Sequence, residues 1–309
     1  MNLISSRKDK LVFYSPYTFI REFPLEKQFE NIVLSDIRNF LSNTNNEIIS
    51  VDIKNKQHLF YVSFLDWDTT YFGFKTYKLK YVLFNHSDIK ILTEAAGKFI
   101  SDFFNGKKYC FIEIPSEDIL LLQALGAWGF RTIETRLTYF RGDLSSFNNE
   151  RFAVRKATEN DIQNLMRVAR EMRNVYDRFH ADPVFEMKIA DEFLATYIEQ
   201  SIKGFADIIL VPDENNISSD SFITAKYLKD EWQKNGVKIS KMVLSAVSAK
   251  TNKGWYKKLV SEMTYHLKEA GAEYIFMNTQ SANRAVIHCW ESLGYSLGST
   301  THILSYSNI

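Results

Sequence analysis

The chain has 309 residues, more than the roughly 100–200 that one domain usually takes, so two domains are expected. Hydrophobic residues make up 45% and charged residues 24%, the balance of a folded globular protein, and 12 Gly with 5 Pro exclude collagen-like and Pro-rich classes. The 38 Lys and Arg against 37 Asp and Glu leave +1, without the basic excess of a chain that works on nucleic-acid phosphates.

In chain order, Leu25, Phe29, Ile32, Val33, Ile37 and Phe40 recur at helical spacing and predict an amphipathic helix over 25–42. Segments 47–53 and 57–65 read as strands around a turn at Asn55 and Lys56. An aromatic stretch with Trp67, Tyr71, Phe72 and Phe74 is broken by Gly73. Strand 76–84, helix 88–105, strand 108–114, helix 116–128 and strand 130–140 follow, with Gly129 placed as a left-handed helix cap. The polar, turn-rich segment 141–150 marks the expected domain boundary, giving domains 1–145 and 151–309.

The second half restarts with a strand from Phe152 to Ala157. Thr158 and Asp161 resemble a capping box ahead of a helix whose face is Ile162, Leu165, Val168, Ala169 and Met172. A helix over 186–203 ends at Gly204, and strands 206–211 and 221–228 lead into a polar excursion around Asn235 and Gly236. Strand 240–248, a helix from Gly254 to Gly271, strand 273–279, helix 283–293 and strand 295–306 complete the chain. The run 108–140 echoes 273–306 as strand, helix and strand, each helix ending in a Gly followed by an aromatic: Gly129 with Phe130, Gly294 with Tyr295. Either any such unit looks alike, or the two halves are related.

Cys110 and Cys289 are too few for a disulfide scaffold and carry no zinc-site spacing. No stretch approaches the roughly 18–20 apolar residues that span a bilayer, and the first ten residues lack an apolar signal core. A reduced, cytoplasmic protein is expected, with no metal, nucleic-acid or membrane partner.

The most informative segment is 240–260. A strand entering a helix N-terminus leaves backbone N–H groups unpaired, and with the helix dipole these suit a phosphate. Lys250, Lys253, Lys257 and Lys258 flank that turn. The same pattern also fits an ordinary strand–turn–helix with solvated lysines.

The order of elements over 151–309 resembles the GNAT superfamily of acyl-CoA-dependent N-acyltransferases. Three places carry the resemblance: Val154, Arg155, Thr158 and Asp161 at the start; the turn 251–256; and Asn283 with Glu291, Gly294 and Tyr295 near the end. Two further stretches extend it over most of the chain. Residues 65–74, with Trp67, Asp68, Phe72 and Gly73, look like the "WDS-x-FFG" stretch of the TDP-fucosamine acetyltransferase family. Arg178, Phe179, His180 and Asp182 look like its "RFH-x-D" region.

The resemblance implies an α/β (α+β) two-domain GNAT-type fold. The C-terminal domain would hold a mixed, largely antiparallel sheet, and a smaller α/β N-terminal domain would help form the acceptor pocket. It implies direct acetyl transfer from acetyl-CoA, in a ternary complex, to the amino group of a nucleotide-linked amino-deoxy sugar. Such a reaction would belong to surface polysaccharide biosynthesis; a homodimer is the assembly considered. Two departures stand out. The family turn is Q/R-x-x-G-x-G/A, and of Thr251, Asn252, Lys253, Gly254, Trp255 and Tyr256 only Gly254 matches it. The family also places a general-acid Tyr seven residues after the Asn, where this chain has Trp290, a donor that does not titrate. A catalytically degraded binding module and a different small amine acceptor are therefore the alternative readings.

On this basis Leu244, Ala246, Val247, Asn252, Lys253, Gly254, Trp255, Tyr256, Lys257 and Asn283 are expected on the CoA side. His180, Asn283 and Trp290 are the expected catalytic positions. His180 is the base candidate by residue type, or else it fixes its loop. Arg178 would meet a nucleotide phosphate or pair with Asp182 or Asp177. Trp67 and Phe72 would stack on a base or sugar, or else pack in a core.

Overall fold

A computed structural model describes residues 3–309. The chain forms two compact units, Met1–Arg136 with Ser299–Ile309, and Leu137–Gly298. No helix among the described residues is long and apolar enough to cross a membrane.

In the first unit, β1 (Asn46–Ile53) and β2 (Lys56–Phe64) form a hairpin. Its two turn residues, Lys54 and Asn55, have φ of 49° and 62°, the left-handed pair that a tight hairpin of this hand requires. β3 (Lys75–Leu83) adds antiparallel to β2. The Ile89–Phe103 helix then crosses over to β4 (Lys108–Pro115), which pairs parallel with β3. Its Leu92, Ala96, Phe99 and Phe103 fall on one face and are buried; Phe99 stacks on Phe60 with ring centroids 4.3 Å apart. The Ile119–Ala127 helix leads to β5 (Arg131–Arg141), whose first part stays in this unit.

The second unit repeats this wiring. β6 (Val154–Lys156), β7 (Ile208–Pro212), β8 (Ser221–Lys226) and β9 (Ile239–Val247) are antiparallel neighbours. The Trp255–Glu269 helix crosses over to β10 (Tyr274–Gln280), parallel to β9, and the Arg284–Ser292 helix leads to β11 (Ser296–Ser307). Its core gathers Met242, Leu259, Met263, Ile275, Trp290 and Tyr295. The sheet is mixed and mostly antiparallel. The echo noted in the sequence thus extends to the whole order of meander, crossover helix, parallel strand, second helix and final strand.

The final strands exchange partners. β11 pairs antiparallel with β4, from Thr301↔Pro115 to Ser307↔Tyr109, so Ser299–Ile309 belong to the first unit. The last part of β5 lies beside β10 in the second. The units therefore divide inside β5, ahead of the polar segment 141–150. That segment supplies only a single helical turn, Leu144–Ser146, with Leu144 and Phe147 buried.

Local differences have local causes. The expected 25–42 helix is one helical run that widens to π-type turns over Phe29–Leu34 and tightens at Phe40–Ser42. The aromatic stretch is itself a helix, Asp66–Phe72, with Asp66 and Asp68 at its positive end and Gly73 as a left-handed cap. The polar excursion is a helix too, Lys229–Asn235, pinned by the Trp232 indole N–H on the Ile239 carbonyl at 2.6 Å.

Candidate active site

β9 and β10 pair over only three positions, Ile239↔Tyr274, Ser240↔Ile275 and Lys241↔Phe276, and then diverge. A β-bulge enters β9 at the same level: Ala225 faces Met242 but Ile223 faces Ser245, so two residues oppose Thr224. A cavity of about 550 Å³ occupies the divergence. Met242–Val247 wall one side, Met277–Gln280 and Asn283 the other, with Tyr256 and Trp290 between.

The backbone of β9 has definite polarity here. The Leu244 N–H donates to Thr224 Oγ1 at 2.9 Å, and the Ser248 N–H donates to the Asp220 carbonyl at 3.0 Å, both toward β8. Successive groups alternate sides along a strand, so the Ser245 and Val247 N–H groups face the side that β10 has left. Of the expected strand residues, Val247 therefore directs its amide toward the gap. Leu244 has spent its amide, and Ala246 directs its own to β8.

The turn beyond β9 is braced from beneath. Asp220 accepts from Thr251 Oγ1 at 3.2 Å and from Asn164 Nδ2 at 2.6 Å, and pairs with Arg167 at 3.2 Å. Asn252 is buried, its Nδ2 bonded to the Ser218 carbonyl at 2.7 Å and to Ser221 Oγ at 2.8 Å; it anchors the turn. Gly254 has φ of 91°, which only glycine adopts readily. Trp255 is buried in the core, and its N–H bonds to the Asn252 carbonyl. The first-turn N–H groups of Tyr256 and Lys257 have no intrahelical acceptor, and Lys253 and Lys257 are exposed. Lys258 lies over the Phe152 and Trp255 rings and 3.5 Å from Glu214.

Tyr256 turns inward. Its hydroxyl accepts from the buried Trp290 Nε1 at 2.9 Å and hydrogen-bonds Ser245; burial pushes the phenol well above its ordinary pKa. Asn283 heads the Arg284–Ser292 helix and donates to Thr279 Oγ1 at 3.2 Å. Asn174 reaches Gln280 through their side-chain amides, joining the loop after the Ile162–Glu171 helix to the end of β10.

The expected base does not reach the cavity. The His180 side chain is fully enclosed, with Nδ1 2.8 Å from Asp177 and Nε2 3.1 Å from Asp191. Burial disfavours its charged form, but the two carboxylates outweigh this and raise its pKa. A cation so held fixes the loop and is a poor base. Asp177 also caps the Arg178–Ala181 helix by accepting from the Phe179 and His180 amides. Arg178 lies over the Phe179 ring, 4.3 Å from its centroid, and Asp182 is buried and accepts from the Val184 N–H. Trp67 and Phe72 belong to the other unit: Trp67 is half exposed and stacked on Tyr71, and Phe72 is buried.

The sequence reading missed the mouth of the cavity. Met172, Val175 and Tyr176, all exposed apolar side chains, line it together with Val243. Met172 reads only as the end of a helix face, and Val175 and Tyr176 lie in an aperiodic stretch just ahead of Arg178. Among the described residues no three His, Cys, Asp or Glu side chains gather as a metal site would need.

No family model matches the chain, and no curated protein matches it. Solved structures do. A functionally unknown conserved protein from Staphylococcus epidermidis aligns with a TM-score of 0.53 at 13% identity, over 89% of this chain and 100% of that one. A GNAT-family acetyltransferase from Colwellia psychrerythraea aligns at 0.50 and 12%, over 90% and 97%. A GCN5-related N-acetyltransferase from Sphaerobacter thermophilus aligns at 0.50 and 9%, over 83% and 82%. The fold is of the GNAT acetyltransferase type.

Proposed function

We propose that the second unit transfers an acyl group, most simply acetyl, from acyl-CoA to an amine by direct attack in a ternary complex. The observation that carries this reading is the divergence of β9 and β10 after three paired positions, which turns the Ser245 and Val247 amides into a cavity. Two preset N–H donors in an enclosed site stabilise the oxyanion that forms when an amine attacks a thioester carbonyl. The first-turn amides of the Trp255–Glu269 helix, at the cavity's end, suit the donor's pyrophosphate.

For the acceptor, the sequence resemblance points to the amino group of a nucleotide-linked amino-deoxy sugar. Tyr176 at the cavity mouth supports a ring-bearing acceptor, since its exposed face suits stacking. Arg178, His180 and Asp182 serve this acceptor only indirectly, by holding the loop that carries Tyr176.

The test is titration of acetyl-CoA into the protein by calorimetry. Binding in the micromolar range with 1:1 stoichiometry is expected, followed by acetylation of amino sugars in a screen of amines. A folded protein that binds no acetyl-CoA at low salt would be a binding module of this fold and not an acyltransferase.

A further inference from the structure

Two of the positions that depart from the family pattern, Tyr256 and Trp290, meet in one hydrogen bond. Trp290 Nε1 donates to Tyr256 Oη at 2.9 Å, and Ser245 hydrogen-bonds the same oxygen. Indole nitrogen is a donor only, so the phenol does not spend its own proton on Trp290. All three side chains line the cavity. Ser245 fixes the distance scale. Its amide faces the gap and its side chain touches Tyr256, so a carbonyl on the Ser245 and Val247 amides lies about one residue's breadth from the phenol. The thioester sulphur is bonded to that same carbonyl carbon.

We propose that Tyr256 is the proton relay of the transfer reaction, giving its phenolic proton to the departing sulphur and recovering one from the acylated nitrogen. The inference rests on the acyl-CoA reading above. The amine lone pair forms the C–N bond, and collapse of the tetrahedral oxyanion breaks the C–S bond. That electron pair goes to sulphur, which leaves as the thiol with the Tyr256 proton. The phenolate, held by the Trp290 N–H and the Ser245 hydroxyl, takes the surplus proton from nitrogen, directly or through one water. The phenol is restored and no other reagent is consumed.

The other titratable groups lining the cavity are committed elsewhere or lie at its rim. Asp177 caps a helix and pairs with His180, Arg173 pairs with Asp191 at 2.5 Å, and Tyr176 is half exposed. Burial keeps the Tyr256 proton in place at neutral pH until negative charge develops on the departing sulphur, in the same water-poor cavity and with the surplus proton on nitrogen to restore the phenol.

The experiment uses free coenzyme A, so it needs no acceptor. The thiol of bound coenzyme A is titrated by thiolate ultraviolet absorbance in wild type and in Tyr256→Phe. A phenol donating to sulphur favours the thiolate, so the bound thiol is expected to ionise about one pH unit lower in wild type, roughly tenfold more thiolate at a given pH. Trp290→Phe keeps the hydroxyl but removes its donor, and is expected to give an intermediate value. With an amine from the screen, Tyr256→Phe is expected to lower kcat by roughly 100-fold, with the acetyl-CoA Kd unchanged. Identical thiol titrations in variants that bind coenzyme A equally would overturn the relay and leave the acyltransferase reading standing. Absence of coenzyme A binding in wild type would overturn both. Should Tyr256→Phe alone lose binding, a Trp290→Phe thiol titrating as in free coenzyme A would overturn the relay.

Discussion

By residue type His180 suits a base or else a fixture of its loop, and its surroundings favour the second. Enclosed between Asp177 and Asp191, it is a charged brace, and its pKa is raised because the two carboxylates outweigh the cost of burial. A group whose folded pKa lies above its unfolded value of about 6.5 adds stability that is fully present below that value. The contribution is lost as pH rises through the folded pKa. His180→Asn is therefore expected to destabilise the protein clearly at pH 6 and much less at pH 9, read as the gap in Tm from wild type; an equal gap at both would rule out the charged brace. Asp177 was legible as a neighbour three residues away, but Asp191 sits on the next helix, and sequence spacing does not report that contact. The capping box at Thr158 was legible because it is local: Asp161 accepts from the Thr158 N–H at 2.8 Å and pairs with Arg155. Tyr256 and Trp290, 34 residues apart, read singly as two losses; only the fold shows that they hydrogen-bond.

At the scale of elements, one device appears in both units with opposite fillings. In the first unit β3 and β4 pair over Lys75–Leu79 and Lys108–Ile112 and then part, as β9 and β10 do. Here the gap is filled by the chain's own N-terminal turns. Arg7 lies over the Phe84 ring at 4.2 Å, just beyond β3, and donates through Nη1 to Asp118 Oδ1 at 3.0 Å, just beyond β4. Tyr14 Oη adds a bond to the same carboxylate at 2.8 Å. Asp118 heads the Ile119–Ala127 helix as Asn283 heads the Arg284–Ser292 helix, so the first unit closes with an ion pair the place that the second leaves as a cavity. Arg7 and Asp118 are both buried, and removing the cation strands a carboxylate. Arg7→Met is expected to cost about 3–5 kcal/mol, measured by denaturant unfolding; a loss below about 1 kcal/mol would mean that water reaches Asp118. Strands and helices were legible because periods of 2 and 3.6 mark a half-buried face. The Lys229–Asn235 helix was not, because it buries no residue of its own and so shows no apolar face; the Trp232 indole hydrogen bond that pins it is not periodic. The N-terminal turns escaped for a related reason: each has three or four residues, and their order comes from the gap they fill.

Across the whole molecule, the polar segment 141–150 reads as a domain boundary because loops between domains are polar and turn-rich. The actual division falls inside β5, since a strand's membership depends on its neighbour and not on its composition. β11 leaves the second unit after Gly298 and supplies seven paired positions along β4, burying Ile303 and Leu304. Neither half of the sequence, cut at the polar segment, contains a complete unit. A chain ending at Gly298 would keep every residue of the second unit but leave the β4 edge, Tyr109 to Pro115, without that partner. Unpaired edges of apolar strands are templates for aggregation. This truncation is expected to make the first unit protease-sensitive and the protein prone to oligomerise, while fragments from within Leu137–Gly298 survive limited proteolysis. Were the first unit to resist protease as in the intact chain, β11 would be an accessory strand; its buried run Ile303, Leu304 and Ser305 and its register with β4 argue that it is integral.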